Sequence, residues 1–254
     1  MSAIDNVKAA RSADRPTGKE YISRMFTDFV ELHGDRRFRD DVAITTGIAR
    51  LCGMPVTVIA IERGKDLSDR MAHNFGMVHP EGYRKALRQV KLAEKFHRPV
   101  VAFVDTSGAY PGLGAEERGQ GQAIAENLME LMTLKTPVLS ILTGEGGSGG
   151  ALALAVADEV WMMENAIYSV ISPEGCASIL WKDSSKVAEA AEALHITSKD
   201  LHEFGVIEKI VEESEGWEAL FPKLQQDIFT TLTKYAAMDP EALIQKRWER
   251  FRKF

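Results

Sequence analysis

The sequence predicts an α/β fold built around parallel strands, and two observations support this class. The segments "PVVAFVDT" and "PVLSILT" are continuous apolar runs, which are typical of strands covered on both faces, as in a parallel sheet. Each run is followed by a glycine-rich loop and then by a helical pattern, so the order strand, loop, helix is repeated. A chain of 254 residues is long enough to bury a large core in one domain of this class.

The elements before these strands can be predicted in chain order. Residues 1–19 are polar, and Pro16 and Gly18 close the segment, so we predict a flexible N-terminal arm followed by a folded domain over residues 20–254. The amphipathic segment "KEYISRMFTDFVEL" predicts the first helix. Two β-branched runs on either side of Cys52-Gly53, "DVAITTGIARL" and "MPVTVIAIE", predict a hairpin or paired strands.

A charged loop follows, and apolar residues at helical spacing then predict a helix from Pro80 until Pro99 stops it. After the second buried strand we predict a small-residue helix, the strands "EVWMME" and "IYSVI", and the helix "SPEGCASILW". The remainder is rich in Ala, Glu, Lys and Leu, which predicts several helices and one short strand near "VIEKIV".

Composition excludes several classes of function. The net charge of −6 disfavours a broad surface for nucleic acid or anionic membranes, so neither partner is expected. The two cysteines show no CxxC spacing, so we expect no disulfide framework, no cysteine zinc site, and a reducing cytoplasm. The start lacks the apolar stretch of a signal peptide, and no segment is predicted to span a membrane.

The turn "GEGGSGG" between the second buried strand and its helix carries the strongest chemical signal, and it fits two short patterns. Gly144, Gly146 and Gly149 match GxGxxG of dinucleotide-binding folds. The short following helix and Glu145, which would face a pyrophosphate, both disfavour that interpretation.

The same turn also matches GxSxG, the nucleophile elbow of serine hydrolases, through Ser148. The remaining triad members could be Asp158 or Asp183 and His195 or His202. These histidines lie in charged helical segments, which favours surface positions and disfavours a catalytic triad. Hydrolysis is therefore kept only as a minor alternative.

A third interpretation relies on backbone groups. Consecutive glycines at a helix N-terminus leave N–H groups that point outward with no Cβ to block approach, which is the construction of an oxyanion hole. The glycine-rich loop "SGAYPGLG" follows the neighbouring strand, so both loops are expected to line one crevice.

Basic residues are concentrated between residues 63 and 91. Arg63, Lys65 and Arg84 are candidates for contacts with phosphates of coenzyme A or with an acidic partner, although a solvated helix face would show the same pattern.

Four motifs resemble one family. "NFGMVHPEGYRKALR", "FVDTSGAYPGLGAEERGQ", "GEGGSGGALAL" and "YSVISPEGCASILWK" are similar to the alpha subunits of bacterial acetyl-CoA carboxylase carboxyltransferase, and the resemblance covers about residues 20–254. It implies a crotonase-type ββα superhelix with C-terminal helices. Ser107 stands where many members have proline, and the longer members carry a further N-terminal helical region.

The resemblance implies transfer of a carboxyl group from carboxybiotin to acetyl-CoA, which forms malonyl-CoA for fatty-acid synthesis. It implies an α2β2 assembly with a beta subunit that carries the zinc, together with a biotin carboxyl carrier protein and a biotin carboxylase. By position, Gly149 and Gly150 correspond to the oxyanion-forming pair. The residues expected to hold the biotin side are Gly108, Ala109, Tyr110, Gly146 and Gly147. A non-catalytic scaffold of the same fold is the other alternative.

Overall fold

One eight-stranded sheet organises the computed structural model, which describes residues 1–254. The strands are β1 (Thr27–Glu31), β2 (Ile44–Leu51), β3 (Met54–Ile61), β4 (Val100–Thr106), β5 (Val138–Gly147), β6 (Glu159–Met163), β7 (Ile167–Ser169) and β8 (Lys209–Val211). Their order across the sheet is β1-β2-β3-β4-β5-β6-β8, and β7 pairs with the end of β5.

Twelve α-helices accompany the sheet. They are α1 (Ala3–Ala10), α2 (Gly18–Met25), α3 (Leu67–Ala72), α4 (Pro80–Lys95), α5 (Leu113–Glu117), α6 (Gln120–Met132), α7 (Ser148–Ala155), α8 (Pro173–Cys176), α9 (Val187–Ala193), α10 (Ser198–Glu203), α11 (Trp217–Ala236) and α12 (Pro240–Phe251). None of them combines the length and the apolar character that a membrane crossing would need.

The strand pairing follows the hydrophobic pattern of the sequence. β2 and β3 form the predicted antiparallel hairpin, and Cys52 and Gly53 occupy its turn with positive φ angles of 48° and 85°. β3, β4, β5 and β6 pair in parallel, and the apolar residues of β4 and β5 are buried. The parallel sheet predicted from continuous apolar runs is therefore confirmed.

Two segments near the N-terminus differ from the prediction. The first helix ends at Met25, and residues 27–31 form β1, because their backbone pairs with β2 instead of continuing the helix. Residues 3–10 form α1 within the segment predicted to be a flexible arm. Its buried side chains pack against the region of β7 and α9, in a cluster of Ala3, Val7, Ala10, Ile167, Ala191 and Ile196. The predicted boundary at residue 19 falls inside α2.

A buried arginine attaches the C-terminal helix α12 to the sheet. The Arg247 guanidinium is fully buried and donates to both oxygens of Asp158 at 2.9 and 2.8 Å. It also donates to the carbonyl oxygens of Leu131 and Leu134 at 2.6 and 2.8 Å. Leu131 lies in the last turn of α6, and Leu134 lies just after that helix. Every donor is satisfied, so the buried charge is compensated where α6, β5 and β6 meet.

Replacing this arginine should strongly destabilise the fold. Arg247→Met removes the only positive charge bonded to Asp158 and leaves a buried carboxylate, so we expect the free energy of unfolding to fall by about 3–5 kcal/mol. Arg252→Met, at the exposed end of the same helix, should change it by less than about 0.5 kcal/mol. Urea denaturation followed by circular dichroism measures both values, and similar midpoints for the two variants would contradict the role of Arg247.

Candidate functional site

The turn between β5 and α7 lies against the loop that follows β4. An ideal Cβ on Gly147 would lie 2.3 Å from the Ser107 carbonyl oxygen, and one on Gly150 would lie 2.5 Å from the Ala109 nitrogen. Neither position has room for a side chain, because the neighbouring atoms belong to the backbone. The two glycine-rich loops therefore contact each other directly.

Three of the residues predicted for the biotin side, Gly108, Ala109 and Gly147, lie at this contact. Gly108 and Ala109 face Gly147 and Gly150. Gly146 pairs with Tyr168 of β7, and its position has no room for a Cβ.

The loop around Tyr110 is fixed by several contacts. The Tyr110 ring packs against the His79 ring, tilted by 34° with the centroids 4.1 Å apart, and the Tyr110 N–H donates to the Val78 carbonyl at 3.1 Å. The side chain of Gln120 donates to the carbonyl oxygens of both Val78 and Tyr110. The loop is thereby attached to the start of α4 and the start of α6.

The first residues of α7 can offer backbone donors. No side chain caps this helix, and its first N–H groups have no carbonyl four residues earlier within the helix. The nearest atom to a Cβ built on Gly149 would be Ile124 Cγ2 at 3.8 Å, so Gly149 is the more open of the glycine pair. Gly150 is buried, and its carbonyl oxygen accepts from the Tyr83 hydroxyl at 3.3 Å. Sequence reasoning did not identify Tyr83 as part of the site.

An apolar cleft of about 420 Å³ opens beside Gly149. It is lined by Ser148, Gly149, Leu152, Tyr168, Ser169, Val170, Leu194, Leu201 and Val206. Burial raises the pKa of Tyr168 to about 12, so its phenol stays protonated at neutral pH. An apolar cleft next to N–H donors can bind a ring system while its polar edge meets the backbone.

Ser148 has the backbone of a tight turn but no partner for nucleophilic catalysis. Its φ angle is 51°, a left-handed conformation, and its side chain is exposed. Its hydroxyl forms no hydrogen bond with a histidine. His195 instead lies 3.8 Å from Asp200 and contacts Phe204. The geometry does not provide the serine–histidine pair that the hydrolase alternative requires.

Buried ion pairs hold the ends of β4 and β5 together. Asp105 Oδ1 accepts the Glu145 backbone N–H at 2.8 Å. Arg63 bridges the two carboxylates through Nη1 to Asp105 at 3.1 Å and Nη2 to Glu145 at 2.6 Å. Burial raises the pKa of Asp105, against the opposing effect of Arg63. We call Asp105, Arg63 and Glu145 the strand-end triad.

The strand-end triad explains two residues of the glycine turn. A Cβ on Gly144 would lie 2.5 Å from Asp105 Oδ1, so only glycine lets that carboxylate approach the strand. Glu145 is buried, and its other oxygen accepts from Arg11 Nε at 2.8 Å. Arg11 also donates to Glu174 at 2.6 Å, which ties the end of α1 to α8. Glu145 thus has a structural role that the sequence motif did not reveal.

The basic residues predicted to contact phosphates or a partner are engaged within the chain. Arg63 belongs to the strand-end triad, and Arg84 pairs with Asp35 at 2.9 Å with only 10% of its side chain exposed. Lys65 is half exposed and pairs with Glu20 at 3.1 Å. For Arg63 and Arg84 the prediction needs correction, because buried carboxylates already neutralise their charges.

The structure contains no group of three or more histidine, cysteine, aspartate or glutamate side chains arranged to hold a metal ion.

Comparison with known proteins gives a consistent result. A family model described as acetyl co-enzyme A carboxylase carboxyltransferase-like matches residues 1–254. The acetyl-coenzyme A carboxylase carboxyl transferase subunit alpha of Ruminiclostridium cellulolyticum is 61% identical over 254 residues, which cover 100% of this chain and 98% of that protein.

Two solved structures share the fold at low identity. Transcarboxylase 12S has a TM-score of 0.74 at 18% identity, covering 91% of this chain and 44% of its own. A chain of a Pseudomonas malonate decarboxylase hetero-tetramer has a TM-score of 0.67 at 17% identity, covering 83% of this chain and 86% of its own. These likenesses confirm the predicted crotonase-type α/β architecture.

Removing the arginine of the strand-end triad should destabilise the protein. Arg63→Met leaves Asp105 and Glu145 as neighbouring buried carboxylates, so we expect a loss of about 3 kcal/mol in the free energy of unfolding. Arg24→Met removes an exposed pair with Glu218 and should cost less than about 1 kcal/mol. Differential scanning calorimetry compares the two variants, and a smaller effect for Arg63→Met than for Arg24→Met would exclude this role.

Proposed function

The chain belongs to the acetyl co-enzyme A carboxylase carboxyltransferase-like family, and from this premise we propose that it is the alpha subunit of a bacterial acetyl-CoA carboxylase carboxyltransferase. The observation that carries the proposal is 61% identity to such a subunit over the full length. Together with a beta subunit, the chain transfers a carboxyl group from carboxybiotin to acetyl-CoA and so forms malonyl-CoA for fatty-acid synthesis.

The chemistry that this chain supplies comes from its backbone. The N–H groups of Gly149 and Gly150 stabilise the negative charge that develops on an oxygen during transfer. Direct packing of Gly147 and Gly150 on the loop from Ser107 to Ala109 supports this role, because it holds the donors rigidly before the substrate arrives.

The apolar cleft beside Gly149 fits the biotin side of the reaction. Its aliphatic walls exclude water from the open end of the donor pair, which strengthens hydrogen bonds formed there. When bound, carboxybiotin would supply the carboxyl group, and cleavage of its N–carboxyl bond would free the ureido nitrogen to take the proton lost from the methyl group of the thioester. The absence of a paired base at Ser148 is consistent with this division of roles.

The proposed assembly is an α2β2 heterotetramer that works in the cytoplasm. In it the beta subunit holds the acyl-CoA side and the zinc, and the carboxyl group arrives on a biotin carboxyl carrier protein charged by a biotin carboxylase. A non-catalytic scaffold of the same fold is the remaining alternative, and the loss of turnover when a backbone donor is removed would separate the two.

Reconstitution tests the function directly. Mixing the chain with a carboxyltransferase beta subunit, carboxylated biotin carrier protein and acetyl-CoA should yield malonyl-CoA, detected by mass spectrometry. Either subunit alone should give little product, because each supplies one side of the site. If no mixing ratio of a stable complex produces malonyl-CoA, the proposed function is wrong.

Three substitutions test the backbone donors. Gly149→Pro removes one N–H at the second position of α7, where proline is compatible with a helix, and should lower kcat about 100-fold in the reconstituted enzyme. Gly149→Ala keeps the N–H, and its Cβ has room, so its kcat should change by less than about threefold. Ser148→Ala should also have a modest effect, since its hydroxyl has no base.

Thermal unfolding and complex formation serve as controls for the three variants. The oxyanion assignment requires that Gly149→Pro still binds the beta subunit while turnover falls. Equal turnover of the proline and alanine variants would exclude it, and complete loss of activity in Ser148→Ala would favour the hydrolase mechanism.

A further inference from the structure

A second cavity, which we call the basic groove, lies between the outer face of α4 and the loop that follows β1. Its volume is about 470 Å³, within the range of small-molecule sites. It is lined by Asp35, Arg36, Arg37, Arg84, Leu87, Arg88, Lys91, Leu92, Lys95 and Glu126. Six of these ten side chains are basic, in a chain whose net charge is −6.

Carboxylates do not balance the positive charge of the basic groove. Asp35 binds Arg84 through one oxygen, while its other oxygen accepts three backbone N–H groups of residues 37–39. Glu126 lies 3.6 Å from Arg37, and Lys91 pairs with Glu130 outside the groove.

Three cations of the groove have no carboxylate partner. Arg36 donates to the carbonyl oxygen of His33, and Arg88 donates to those of His33 and Gly34. The Lys95 Nζ lies 5.7 Å from the centroid of the Phe96 ring. Backbone carbonyls carry no net charge, so none of these three side chains has a directly paired carboxylate, and the nearest negative charges to Arg88 are those of Asp40 and Asp35.

Four of the basic residues that line the groove belong to α4. Arg84, Arg88, Lys91 and Lys95 recur at helical spacing along one face of α4, and only Arg84 and Lys91 have a carboxylate partner. Like charges at such spacing destabilise a helix where they are not paired. Burial lowers the pKa of Arg88 and repulsion from Arg36 lowers it further, against the opposing attraction of Asp40 and Asp35. An anion bound between these residues would relieve the repulsion.

The groove is separate from the glycine turn. Tyr83 is buried and reaches Gly150 from α4, whereas Arg84 and Arg88 of the same helix face the groove. The basic residues of α4 extend over about 16 Å along its axis. A ligand in the groove would therefore touch the helix that supports the site without occupying the site.

We propose that the basic groove binds a nucleotide, with its phosphate groups on Arg36, Arg88 and Lys95. The apolar side chains of Leu87 and Leu92 give the base a surface to pack against. Guanidinium and ammonium groups are the side chains that phosphates prefer, and several converging cations suit more than one phosphate group. A free nucleoside diphosphate or triphosphate and the phosphorylated adenosine end of coenzyme A share this chemistry.

Isothermal titration calorimetry on the full chain at low ionic strength tests the site with ADP, ATP, coenzyme A and adenosine. We expect saturable binding of at least one phosphorylated ligand and none of adenosine, because the phosphates provide the affinity. Binding of ADP and ATP identifies a free nucleotide as the ligand, whereas binding of coenzyme A alone identifies its phosphorylated adenosine.

Charge-matched variants locate the binding. Arg36→Gln combined with Lys95→Gln should weaken it about tenfold or more, since each lost charge-assisted contact removes a strong interaction. Lys199→Gln combined with Lys234→Gln removes two exposed charges elsewhere and should leave the Kd unchanged. Arg88→Gln provides an independent third variant with the same expected loss.

Three results would overturn the proposal. They are no saturable binding of any phosphorylated ligand, an unchanged Kd in the groove variants, and equal weakening in the control variant. The groove proposal does not rest on the proposed function, because its test measures ligand binding to this chain alone. Failure to form malonyl-CoA would leave the groove proposal standing.

Discussion

The bridge formed by Arg63 between Asp105 and Glu145 is the interaction on which the site depends. β4 and β5 are parallel, so their carboxyl ends meet at the same edge of the sheet, and each end carries an acidic residue. Two neighbouring buried carboxylates would repel each other strongly without a cation between them. Arg63 follows β3, the other strand next to β4, and its guanidinium reaches both carboxylates at once.

This bridge sets the position of the glycine turn. Asp105 holds the Glu145 N–H, and only Gly146 and Gly147 separate Glu145 from Ser148, where α7 begins beside the Ser107–Ala109 loop. Glycine is needed at 147 and 150 because a Cβ there would lie only 2.3 and 2.5 Å from backbone atoms of the neighbouring loop. The two loops consequently behave as one packed unit, so a donor on one loop is fixed relative to the wall formed by the other.

The sequence predicts the parts of this structure that follow from local pattern. Continuous apolar runs predicted the parallel strands, and Cys52-Gly53 predicted the hairpin. The prediction from local pattern was wrong where pairing between distant segments sets the secondary structure. Residues 27–31 continue a helical pattern in sequence, but they pair with β2 in the sheet. Local sequence pattern also does not predict which carboxylate will pair with a given basic side chain. Arg63 and Arg84 look like free cations, whereas Asp105 and Asp35, distant in sequence, neutralise them in the fold.

The buried ion pairs of Arg63 and Arg11 also compensate a negative charge at the glycine turn. A glutamate next to a helix N-terminus places a negative charge where an oxyanion would form, and at short range in a water-poor site this repulsion would oppose the stabilisation by backbone N–H groups. Here Glu145 directs one carboxylate oxygen to Arg63 and the other to Arg11, so two guanidinium groups compensate its charge. With that charge compensated, the positive end of the α7 dipole favours an anion at the start of the helix. An acidic residue can remain within the glycine turn because Arg11, at the end of α1, and Arg63, just after β3, each supply a cation to it.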